Sequence, residues 1–172
     1  MRKTVLYIAT SLDGYIAEKD GGIDWLTAYD MPKSYDAFLK TVDTVVMGGI
    51  TYRKIVTELS PGEWAYEGLV SYVVTRRAPG ATAGVHFVQQ SPCSLVRALK
   101  AEPGKNIWIC GGAQIVSALW KENLIDRLHL SVIPTVLGDG IRLFPQEERE
   151  HRLRLVGAQS EYGIVDLIYE RA

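Results

Sequence analysis

The chain has 172 residues, 47% hydrophobic and 23% charged, and its 19 basic and 20 acidic side chains leave a formal net charge of −1. That length and balance fit one globular domain over residues 1–172 with a sizeable core, and they exclude a disordered chain and nucleic-acid binding through bulk positive charge. No apolar run is long enough for a transmembrane helix, and the N-terminal run breaks at Thr10, Ser11 and Asp13, too early for a signal peptide.

Cys93 and Cys110 are the only cysteines, with no Cys-x-x-Cys spacing, so a reducing compartment and a cytoplasmic protein are expected. His86, His129 and His151 stand singly, which gives a zinc site no support, and no metal is expected.

In chain order, residues 4–9 are β-branched and aliphatic and read as a buried strand. Residues 34–42 place Tyr35, Phe38, Leu39 and Val42 at i, i+3, i+4 and i+7, the period of a helix. A second strand over 44–47 closes on Gly48-Gly49, and Thr51 is positioned to cap a helix over 52–58. After a loop with Pro61, Gly62 and Gly68, strands are expected at 70–75 and 85–89. Ser91-Pro92 opens a helix whose inner face carries Leu95, Val96 and Leu99. A strand over 107–110 leads through Gly111-Gly112 into a helix over 113–122. A strand over 128–134, a Gly138-Asp139-Gly140 turn, and two strands within 152–171 joined around 160–163 complete the chain. Such alternation predicts an α/β fold: a mostly parallel sheet with helices on both faces and an antiparallel hairpin at one edge.

Two glycine pairs, Gly48-Gly49 before Ile50-Thr51 and Gly111-Gly112 before Ala113-Gln114-Ile115, each end a strand and open a helix. Either they only permit tight turns, or they let the backbone approach an anion at the helix start, together forming a diphosphate cradle. Thr75-Arg76-Arg77 follows the third strand, either as a solvated charged loop or as a pocket for a phosphate monoester. Asp13-Gly14 is a turn signal opening a long loop with Trp25 and Tyr29; Trp25 is either a core anchor or part of a substrate wall. Asp36 either stabilises the first turn of its helix or faces a cleft as proton donor.

Taken together, Ser11-Leu12-Asp13-Gly14-Tyr15-Ile16-Ala17, Val45-Val46-Met47-Gly48 with Thr51-Tyr52, Val73-Val74-Thr75-Arg76, Trp108 to Ile115, Ile125 to Leu130, Pro134, Gly138-Asp139-Gly140 and Phe144-Pro145 resemble the dihydrofolate reductase superfamily. Within it the chain is most similar to the C-terminal domain of the bifunctional riboflavin-biosynthesis deaminase/reductase, over nearly its whole length. The resemblance implies a three-layer αβα domain with an eight-stranded mixed sheet, NADPH across the carboxyl ends of its strands, and a homodimer. By position, Ala9, Ile16 and Ala17 would border the nicotinamide. Gly48, Gly49, Ile50 and Thr51 would hold the diphosphate from one side, and Gly111, Gly112, Ala113, Gln114 and Ile115 from the other, with a cis Gly-Gly bond. Thr75, Arg76 and Arg77 would line the 2′-phosphate pocket. Asp36 would take the family's carboxylate position, with Asp13 and Trp25 beside the substrate.

Two departures shape the functional expectation. Gly49 stands where folate reductases carry a basic residue, leaving the 2′-phosphate to Arg76 and Arg77. Residues 64–74 contain no Arg or Lys, so the arginine that clamps the folate glutamate is missing. The deaminase zinc signature is absent as well, so the chain is expected to be the reductase-like part. The expectation is an NADPH-dependent reductase of a small heterocycle or carbonyl compound, like the 5-amino-6-(5-phosphoribosylamino)uracil reductase domain. A dihydrofolate reductase and a non-catalytic NADPH-binding module are the alternatives.

Overall fold

Short β-branched runs separated by helix-length amphipathic stretches bury both faces of a sheet when parallel strands are joined by crossover helices. The computed structural model, which describes residues 1–77, 80, 82–144, 146 and 150–172, has this arrangement. Its elements are β1 (Thr4–Ser11), β2 (Tyr15–Ala17), α1 (Asp24–Thr27), α2 (Lys33–Leu39), β3 (Val42–Gly48), α3 (Gly49–Lys54), β4 (Val70–Val74) and β5 (Val85–Val88). Then follow α4 (Pro92–Ala101), β6 (Asn106–Gly111), α5 (Ala113–Lys121), β7 (Arg127–Ile133), β8 (Ile141–Arg142), β9 (Leu153–Glu161) and β10 (Ile164–Arg171).

Eight strands form one sheet in the order β5-β4-β3-β6-β1-β7-β10-β9. The first six in that order run parallel to one another, and β10 pairs antiparallel with both β7 and β9. The hairpin expected at an edge is there, with β9 outermost. Alternation along β1 sends Leu6 to one face and Val5 and Tyr7 to the other. On the first face, Leu6, Val46, Ile107 and Ile109 pack against Leu95, Val96 and Leu99 of α4 and Val116 and Leu119 of α5. On the second, Val5, Tyr7, Val45, Met47 and Trp108 pack against Phe38 of α2 and Tyr52 of α3. This is the predicted three-layer architecture.

Three local expectations change. Helix α2 stops at Leu39, because Thr41 bonds back to the Phe38 carbonyl through its N–H (2.8 Å) and its hydroxyl (2.7 Å). Val42, assigned to the helical face by its spacing, instead opens β3 and is buried there. Helix α3 starts directly at Gly49 with Gly48 as its cap, so Thr51 lies inside the first turn, and the chain continues as a π turn over Ile55–Leu59. The segment read as one loop after β1 contains β2 and α1, and β2 pairs with β8. Pro145 lies outside the described residues. Among the described residues no helix is long and apolar enough to cross a membrane.

Candidate functional site

The carboxyl ends of β1, β3, β4 and β6 meet the starts of α3 and α5 around a cavity of about 960 Å³. The chain order explains its position. Strand β6 inserts between β3 and β1, so connections leave neighbouring strands in opposite directions and open a crevice there. Ala9, Ile16 and Ala17 wall one side, and Gly48, Gly49, Ile50 and Thr51 form a second. Gly111, Gly112, Ala113, Gln114 and Ile115 form a third, with Thr75 and Arg76 at the rim.

The two glycine turns are packed too closely for side chains. A Cβ on Gly49 would stand 2.9 Å from Thr75 Oγ1, and one on Gly112 would stand 3.3 Å from Thr51 Oγ1. Gly111 has φ +131°, a backbone conformation that glycine adopts most readily. The Gly111–Gly112 peptide is cis. Neither α3 nor α5 carries a side-chain cap, so the N–H groups of both first turns remain available at the cavity.

The inner end of the cavity is aromatic. Tyr7, Tyr35, Tyr66 and Trp108 surround it, with ring centroids 5.7 Å apart for Tyr7–Tyr35, 6.0 Å for Tyr35–Trp108 and 4.8 Å for Tyr66–Trp108. Burial pushes the Tyr35 phenol up to about 12 and the Cys110 thiol up to about 11, and it raises Tyr66 as well. These groups therefore stay protonated at neutral pH and offer hydrogen bonds rather than charge. The Tyr66 hydroxyl lies 3.5 Å from Cys110 Sγ.

The structure separates the remaining sequence-predicted residues. Arg77 does not line the cavity; it folds back on Thr75, donating its N–H to Thr75 Oγ1 (3.2 Å) and accepting from it (3.0 Å). Asp36 is exposed on the first turn of α2 and lies outside the cavity lining, correcting the cleft-facing reading; helical rotation turns its neighbour Tyr35 inward. Asp13 also lies outside the lining. Its carboxylate accepts from Ser11 Oγ (2.6 Å), Leu137 N (3.1 Å) and Gly138 N (2.8 Å), which clamps the 137–140 turn onto the turn between β1 and β2 and lowers its pKa. Trp25 sits half-buried on α1, and its neighbours Ile23 and Leu26 reach the cavity in its place.

Sequence reading missed Tyr7, Tyr66, Ser131 and Asp166. Ser131 lines the inner cavity, and Asp166, 2% exposed, lies behind it. Burial raises Asp166, but contacts from His129, Ser131, Ser34 and Gln159 outweigh it and hold the carboxyl well below the usual range. The available signal was a lone carboxylate inside the apolar run Val165-Asp166-Leu167, since a buried charge needs built partners.

A three-layer fold with a glycine-walled cavity at the carboxyl ends of its parallel strands defines the dihydrofolate-reductase-like class. Residues 2–163 match the RibD C-terminal domain, and the chain belongs to that family. It is 43% identical to the uncharacterized protein YwjB of Bacillus subtilis (strain 168), with 99% of each chain covered. Among solved structures it is similar to a Shewanella sp. PV-4 protein provisionally named for riboflavin biosynthesis, with 26% identity, TM-score 0.84 and 99% of each chain covered. It also resembles the diaminohydroxyphosphoribosylaminopyrimidine deaminase/5-amino-6-(5-phosphoribosylamino)uracil reductase of Thermotoga maritima, with 14% identity and TM-score 0.71. That match covers 99% of this chain and 57% of the longer one.

Proposed function

We propose that the protein is an NADPH-dependent reductase that transfers hydride to a small heterocyclic or carbonyl substrate. The observation that carries this reading is the pair of uncapped glycine turns facing each other across one cavity, continuous with an aromatic inner end. The residues present fit the cofactor. Gly48, Gly49, Gly111 and Gly112 line the cavity with backbone rather than side chain, and the N–H groups beside them suit the charge of a diphosphate. Arg76 at the rim suits a 2′-phosphate, and Ala9, Ile16 and Ala17 offer a flat wall for the nicotinamide. When bound, that group supplies the hydride; the protein orients the ring, excludes water and places the acceptor carbon beside it.

The test is a titration with NADPH and separately with NADH, followed by quenching of Trp108, which lines the cavity. NADPH oxidation is then assayed with 5-amino-6-(5-phosphoribosylamino)uracil, dihydrofolate and a panel of small carbonyl compounds. Tighter binding of NADPH with turnover of a non-folate acceptor is the expected result. Binding without turnover of any acceptor would favour a binding module, and no binding of either nucleotide would refute the reductase.

A further inference from the structure

The polar end of the cavity continues into the protein. Ser131 Oγ lies 3.4 Å from the Tyr7 hydroxyl and 2.5 Å from Asp166 Oδ1. Ser131 has one hydrogen and two acceptors. When that hydrogen rests on Asp166, the Tyr7 hydroxyl is free to donate back to Ser131; when it turns to the Tyr7 oxygen, Tyr7's own hydrogen is left for the neighbouring Ser34 hydroxyl or for an acceptor in the cavity.

The carboxylate behind this pair is fixed from three elements. Ser34 Oγ of α2 and Gln159 Nε2 of β9 (3.3 Å) donate to Asp166 Oδ2, while Ser131 of β7 holds Oδ1. His129 Nε2 stands 3.6 Å from Oδ2, buried and with no hydrogen-bond partner among the described residues. The Tyr7 ring is itself clamped, stacked on Phe38 at 4.5 Å and edge-on to His129 at 4.2 Å. A carboxylate with only a structural task would need the Ser34 and Gln159 donors. It would not need a serine hydrogen shared with a cavity-lining phenol.

We propose that Tyr7 is the proton donor of the reduction, with Ser131 and Asp166 as the positioning residues that aim its hydroxyl. This rests on the reductase reading above. As hydride reaches the electrophilic carbon, the π pair of the C=O or C=N bond moves to the heteroatom. That atom takes the Tyr7 proton, so one O–H bond breaks and one O–H or N–H bond forms. The phenolate is held meanwhile by the Ser131 hydrogen, and it recovers a proton from water in the cavity after product leaves. Burial raises the Tyr7 phenol above its ordinary value, which makes this return favourable.

Tyr7→Phe, Ser131→Ala and Asp166→Asn are compared with the unaltered protein in three measurements. NADPH binding by Trp108 quenching should stay within about twofold in Tyr7→Phe, because the hydroxyl contacts Ser131 of β7 and not a residue of the glycine turns. With whichever acceptor turns over, Tyr7→Phe should lower kcat by roughly 100-fold or more with KM little changed, and Ser131→Thr should restore most of the loss seen in Ser131→Ala. A kcat within about threefold for Tyr7→Phe would overturn the assignment. The third measurement needs no substrate: the Tyr7 phenol is titrated by NMR of its labelled Cζ. Asp166→Asn should lower its pKa by removing a neighbouring negative charge, and Ser131→Ala should raise it by removing a donor to the phenolate. If no acceptor turns over, the reductase reading fails on its own, and a Tyr7 titration unmoved by both substitutions would separately overturn the Tyr7–Ser131–Asp166 coupling.

Discussion

Replacing Arg76 with alanine tests the phosphate pocket at the end of β4. Arg76 lines the cavity and Arg77 does not, so the two arginines should have unequal effects. A charged hydrogen bond contributes about 1.5–3 kcal/mol, and solvent exposure of the side chain reduces it to about 1–2 kcal/mol. That corresponds to a roughly 5–30-fold rise in the Kd for NADPH. Arg53 and Lys54 in the last turn of α3 also line the cavity, but the α3 position packed on Thr75 is Gly49, where a Cβ would already crowd Thr75 Oγ1 at 2.9 Å. NADH lacks the 2′-phosphate, so its Kd should stay within about twofold. Arg77→Ala should change neither, since its two bonds to Thr75 come from the backbone. The assay is Trp108 quenching with each nucleotide at one fixed ionic strength. Equal weakening of NADPH and NADH, or a larger effect from Arg77→Ala, would refute the reasoning.

Arg2 is buried, pairs with Asp43, and donates to Lys105 O (2.6 Å) and Thr44 Oγ1 (2.7 Å), so Arg2→Ala should cost about 2–4 kcal/mol and lower Tm by roughly 5–15 °C. A thermal melt within about 2 °C of the unaltered protein would contradict this. The folded-state pKa of Asp166 lies below its unfolded value, so its contribution is present above the unfolded pKa of about 3.9 and is lost as pH falls below it. Urea midpoints between pH 7 and 3 should therefore fall less steeply for Asp166→Asn, and parallel slopes would count against the network. Asp13→Asn should loosen the 137–140 turn, read as faster amide exchange at Leu137 and Gly138, with little change in NADPH affinity because the residue lies outside the cavity. Sedimentation should give about 38 kDa for the expected homodimer of the 19.1 kDa chain; a 19.1 kDa species would contradict it.

The strand and helix order, the two glycine turns and the Thr75-Arg76 rim were legible in the sequence because each depends on local chemistry. A β-branched run makes a strand, and glycine between a strand and a helix makes a close turn, whatever lies elsewhere in the chain. Helical spacing also marked Tyr35 as inward, and that same rotation excluded Asp36. What lay beyond local reading was long-range register. Tyr7 and Ser131 are 124 residues apart and Ser131 and Asp166 are 35 apart, and they meet because β7 lies between β1 and β10, with Asp166 opposite Ser131. Tyr66 reaches Cys110 from a loop whose composition marked it only as a turn region. Sequence alone thus determined the layers and the glycine walls of the cavity, where backbone shape suffices. Only the tertiary structure decided which hydroxyls and carboxylate gather at its inner end, because that depends on which strands become neighbours and in what register.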